Sequence, residues 1–185
     1  MRHETAYQKR SNCNLVMESP QATLTTIPLA NGALAAIVEF SINPAELSTA
    51  QQKKISFRTR RVFTSARVAR GIKTIKLLAL PHKKAIQEVV PWGSPIFLSI
   101  AFLHAYPAGT PKSKRIDFAP MPQGADNDNR IKAPQDALVQ AGWFPDDRFI
   151  TTTHITKRRT TGEPRIVVIV SQDTLTANSR RNFMK

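Results

Sequence analysis

The stretch "SPIFLSIAFLHAY", Ser94 to Tyr106, constrains the fold more than any other. In extended backbone alternate side chains point to opposite faces. Ile96, Leu98, Ile100 and Phe102 then share one face, while Phe97, Ala101 and Leu103 occupy the other. Both faces of this long strand are therefore expected to be buried. "AAIVEFSI", Ala35 to Ile42, reads as an earlier strand that ends at Asn43-Pro44. "RFITTTHITKRR" and "RIVVIVSQ", separated by "TTGEP", read as a hairpin.

Two helices complete the pattern. Apolar residues at Val68, Ile72, Ile75 and Ala79 recur at helical spacing, with Ser65 available as a cap and Pro81 as a stop. A second helix is predicted over roughly Ile131 to Ala141, with Pro134 in its first turn and Gly142 as its C-terminal cap. The expected fold class is α+β: a single compact domain with a mixed β-sheet packed against two main helices. Residues 35–172 would form that domain, between a polar N-terminal tail (1–34) and a C-terminal tail (173–185).

A hydrophobic content of 41% over 185 residues suits a globular chain. No apolar run approaches a membrane span, the N-terminus has no apolar signal core, and the lone Cys13 excludes an internal disulfide. A cytoplasmic, nucleoid-associated protein with no membrane partner is expected.

Charge narrows the partner. The formal net charge is +14, and between Glu46 and Glu88 eleven Lys and Arg residues occur with no acidic one. A solvated helix face is the bland account of such a run, but one this one-sided repels itself unless a polyanion neutralises it. Nucleic acid fits best, through its phosphates. Arg58, Arg60, Arg61, Arg67, Arg70, Lys73 and Arg130 are the expected DNA-binding residues.

Against that background the scarce carboxylates gather in one place. Asp126, Asp128, Asp136, Asp146 and Asp147 all lie within "ADNDNRIKAPQDALVQAGWFPDDRFI". Asp126 and Asp128 would share a face if their backbone is extended, and the chain reversal after the second helix can bring Asp147 beside them. Clustered carboxylates repel, and a hard divalent cation such as Mg²⁺, with Mn²⁺ able to substitute, removes that penalty. Turns and helix caps are the commoner use of such Asp- and Asn-rich segments. An EF-hand calcium loop fails, because Arg130 and Ile131 stand where an oxygen ligand and a glycine are required. Lys132, four residues after Asp128, is placed either to reach a phosphate or to pair with Asp128 or Asp136.

The same stretch resembles the RusA-type Holliday junction resolvases, or crossover junction endodeoxyribonucleases. Their pattern D-x-D-N-x-x-K, D-A-L, A-G, D-D is matched in order and spacing by Asp126–Lys132, Asp136–Leu138, Ala141-Gly142 and Asp146-Asp147. The resemblance implies that Asp126, Asp128 and Asp147 hold Mg²⁺ and that Lys132 is needed for cleavage. It further implies a homodimer that cuts branched DNA, chiefly four-way junctions, in recombination and repair. Two alternatives stand beside it: a non-catalytic basic DNA-binding protein, and a related nuclease acting on flaps or forks. His82, His104 and His154 are too dispersed for zinc, and Trp92 and Trp143 are expected in the core or a dimer interface.

Overall fold

A computed structural model describes residues 21–45, 47, 53–56, 61–64, 66–122 and 127–174, with the backbone alone for 53–56, 61–64 and 127–129. Its centre is a five-stranded sheet in the order β1-β2-β7-β5-β6. The strands are β1 (Ala22–Pro28), β2 (Leu34–Phe40), β5 (Ile96–Ala105), β6 (Ile150–Thr160) and β7 (Arg165–Gln172). Two short strands, β3 (Lys53–Ser56) and β4 (Arg61–Thr64), pair with each other in a separate ribbon. The helices are α1 (Ala66–Ala79), α2 (Lys83–Val89) and α3 (Asn127–Gln140).

All neighbours in the main sheet are antiparallel except β5 and β6, which run parallel. A parallel pair needs a crossover, and α3 supplies it. The mixed sheet with α1 and α3 as its two main helices is the α+β domain expected. Ala36, Val38, Phe40, Leu98, Ile100, Phe102, Ile166, Val168 and Val170 line one sheet face and form one core with Ile75, Ile86, Leu138, Trp143 and Phe144 from the helical side. Among the described residues no helix is long and apolar enough to cross a membrane.

Four expectations change. The sheet starts at Ala22, ahead of the boundary drawn at residue 35. There Thr23 to Ile27 zip against β2 through a turn at Asn31-Gly32, where Gly32 has φ +78° and Asn31 Oδ1 accepts from the Ala33 N–H. Second, β6 and β7 do not form a hairpin, because β5 lies between them. The link 161–164 is long enough to step over one strand, since neighbouring strands lie only about 4.8 Å apart. That arrangement puts the most apolar strand, β5, in the interior. Third, the second face of β5 is only partly buried: Leu103 is buried there, while Phe97, Ser99 and Ala101 are half-buried. Fourth, α3 begins four residues earlier than the predicted Ile131, so Pro134 lies inside it rather than in its first turn. A proline there gives no N–H to the Arg130 carbonyl one turn back, which loosens the first turns from the rest.

The two tryptophans separate. Trp143 is 1% exposed, and its Nε1 donates to the Ala79 carbonyl at 2.9 Å. It stacks on Phe40 and meets Phe144 edge-on. Trp92 is 59% exposed and takes no part in this core.

Candidate active site

The end of α3 sets the site. Gly142, at φ +74°, donates its N–H to Val139 O while Trp143 N–H reaches back to Leu138 O, which is a Schellman closure. The left-handed conformation suits glycine, as predicted for the cap, and an added Cβ would also crowd the Lys83 side chain at 3.1 Å. Gln87 Nε2 holds the Gly142 carbonyl at 2.9 Å. With Trp143 and Phe144 sunk in the core, the chain is turned back so that Asp146 and Asp147 come beside α3, immediately before β6.

Asp146 caps a single 3-10 turn, Asp147–Phe149, by accepting the Arg148 N–H at 3.0 Å. This bond, followed by one with Asp147, holds the Asp146 carboxyl below its ordinary range. Asp146 is therefore committed to the turn, while Asp147 is exposed at its head.

On α3 the buried stripe is Ile131, Pro134, Ala137 and Leu138, with Ala133 and Ala141 beside it. Lys132 is exposed and Asp136, one turn on, is half-buried. Burial pushes the Asp136 carboxyl up, the nearby positive charge of Lys132 opposes this, and the negative charge of Asp147 adds to it. Lys132, Asp136 and Asp147 thus share one field. Asp128 occupies the turn before Lys132 in the same helix. Its backbone is helical, so the expected same-face pairing of Asp126 and Asp128 in extended chain does not apply. Asp126 lies outside the described residues. Among the described residues no three His, Cys, Asp or Glu side chains form a metal-sized group.

Asp136 was not singled out as a site residue in the sequence, although its i+4 spacing from Lys132 carried the signal. His104 had no such signal. It is 5% exposed near the end of β5, and Arg130 Nη1 lies 3.2 Å from its Nε2. Arg130, half-buried, therefore ties α3 to the sheet. Arg67 donates to the Ala45 carbonyl, and Arg70 and Lys73 are exposed on α1. Arg58 and Arg60, and the side chain of Arg61, lie outside the described residues.

Burial, then the positive charges of Arg130, Arg159 and Lys157, lower the His104 pKa from 6.5 to about 4. The folded protein keeps this ring neutral where the unfolded chain would protonate it. Its tie to Arg130 persists in the folded state down to about pH 4, while stability, fully present above pH 6.5, falls as pH drops from 6.5 towards 4 because the unfolded chain takes up the proton. His104→Gln retains an acceptor without a titrating ring. Urea midpoints at about pH 5 and about pH 7.5 are expected to lie closer together in this variant than in the wild type.

A strongly basic α+β domain that sets a lysine among carboxylates has the make-up of a protein acting on phosphodiesters. Residues 44–171 match the family model described as Endodeoxyribonuclease RusA. The chain belongs to the RusA endodeoxyribonuclease family, and its activity class is that of a DNA endonuclease. Comparison with curated proteins gives no match.

Proposed function

We propose that this protein is a Mg²⁺-dependent, structure-selective endodeoxyribonuclease that resolves four-way junctions by paired cleavage in recombination and repair. It would act in the cytoplasm, at the nucleoid, as a homodimer. The observation that carries the reading is the common field of Lys132 and Asp136 on α3 and Asp147 in the turn that follows it, in a chain of net charge +14.

Asp126, Asp128 and Asp147 would hold the ion, with Asp136 supporting them from the adjacent turn. The donors fit a hard cation: they are all carboxylates, and the repulsion between Asp136 and Asp147 is what a divalent ion relieves. When bound, the ion supplies charge neutralisation at the scissile phosphate and a more acidic water. Lys132, exposed on the same helix, places its ammonium against the charge that builds on the phosphate oxygens. The Arg130–His104 contact holds the helix that carries these groups against the sheet.

Self-association is supported by the second sheet face. Ile37, Phe97, Ala101, Val167 and Ile169 are only half-buried there. A two-fold dimer matches a substrate cut at two opposed strands.

The test is cleavage of a synthetic four-way junction beside linear duplex, flap and fork, with and without Mg²⁺. Symmetric paired nicks in the junction alone, only with metal, are the expected result. Equal cutting of flaps or forks would make it a broader branch nuclease, and binding without cutting would make it a DNA-binding module. Affinity is expected to rest on the basic segment. Reversing Arg58, Arg60 and Arg61 to Glu should weaken junction binding and flatten its dependence on salt, read in a salt titration.

A further inference from the structure

The loop between β5 and α3 is built in an unusual way. It exposes two large apolar residues, Ile116 at 69% and Phe118 at 54%. Phe118 is also the one non-glycine residue among those described that has a positive φ, at +57°. A bulky residue rarely takes that conformation unless its surroundings impose it.

They do impose it, from both sides. Tyr106 Oη donates to the Ile116 carbonyl at 2.7 Å and accepts the Ile116 N–H at 3.0 Å. Asp117 Oδ1 accepts the Thr161 N–H at 3.0 Å. Immediately after Phe118, the Ala119 carbonyl accepts from Arg159 N–H and Met121 N–H donates to the Lys157 carbonyl. The segment 119–121 thus borders the free edge of β6, bridging at Pro120 and Arg158. Phe118 stands between two fixed anchors, with its ring in solvent.

Cations outnumber the one carboxylate, Asp117, among the described residues of this loop and the strand it borders. Lys112 and Lys114 are exposed in the same loop, and Arg158 lies on the neighbouring strand. The loop leaves β5 at the sheet end where Arg130 of α3 meets His104, which is the end carrying the first turns of α3 and hence Asp128. A rigid aromatic ring amid cations suits a base face flanked by phosphates.

Resting on the functional reading above, we infer that Phe118 is a wedge that stacks on a base at the branch point of the DNA. Along a linear duplex every base face is covered by its neighbours except at the two ends, so the contact favours a branch point over the duplex interior. Phosphates on either side meet Lys112 and Lys114.

The test uses the full chain in metal-free buffer, with a four-way junction and a linear duplex of the same length. The junction carries 2-aminopurine at its crossover, and light scattering follows the mass. Wild type is expected to favour the junction and brighten the probe as the base leaves its stack. Phe118→Ala should lower junction affinity about tenfold, leave duplex affinity unchanged and abolish the brightening. Phe118→Tyr should retain both properties. Phe118→Gly removes the ring at a backbone angle glycine accepts freely, so a folding defect in the alanine variant does not hide the result.

An unchanged junction-to-duplex ratio in the folded ring-less variants overturns the wedge while leaving the nuclease reading intact. Loss of self-association in those variants also overturns it, and assigns the ring to a contact between copies. A wild type without junction preference removes the functional reading, and the wedge with it.

Discussion

Asp128→Asn is expected to bind four-way junctions and to cut them about a thousandfold more slowly than wild type in Mg²⁺. The substitution preserves size and hydrogen bonding but removes one negative charge from the turn before Lys132. Metal affinity should fall, and alignment of water and phosphate with it. DNA binding should persist or tighten in metal-free buffer, because one carboxylate no longer repels the backbone. Lys132→Ala should lose cleavage by a different route, with metal binding kept and transition-state charge left without its ammonium. Single-turnover cleavage beside metal titration separates the two. Wild-type rates in Asp128→Asn would make the carboxylates structural, and joint loss of folding and binding would make Asp128 a stabiliser of the first turn of α3.

Trp143→Ala should cost about 3–5 kcal/mol of stability, a large share of the roughly 5–15 kcal/mol typical of a domain. The indole is 1% exposed, stacked on Phe40 and bonded to the Ala79 carbonyl. Its loss opens a cavity where α1, β2 and the α3 closure meet. Activity should fall with folded fraction, since Trp143 begins the turn that returns Asp147 to α3. Trp143→Phe keeps an aromatic ring but leaves the Ala79 carbonyl without its donor, and should cost about 1–3 kcal/mol. Urea unfolding measures both. A near-neutral alanine variant would show that the turn is held by the Gly142 closure alone.

The chain's pattern was legible wherever chemistry is local. Spacing gave α1 its extent, Gly142 its capping role and β5 its existence as a long apolar strand, because helical periodicity, a left-handed cap and an apolar run each act over a few residues. Asp126 to Asp147 stood out for the same reason, since carboxylates and a lysine at fixed intervals are visible without a fold. The β1–β2 hairpin was missed, because polar composition concealed a strand that half-buries only Ala22, Leu24 and Ile27.

Other features depended on pairing between distant segments. Adjacent apolar runs with a short link read as a hairpin, yet β5 lies between β6 and β7, because a link of four residues spans two strand spacings and sheet order is chosen by core burial. Asp136 joined the site only when the Gly142 turn brought Asp147 against its helix. Likewise nothing near Phe118 in the sequence marks it. Its backbone angle and its exposure come from Tyr106, Thr161 and Arg159, which flank it only after β5 and β6 have paired. The sequence by itself determined which groups this protein has for its chemistry and how they are spaced along the chain. Which of them share a field, and which ring faces the solvent, was decided by long-range strand order, because those distances are set by packing and not by sequence separation.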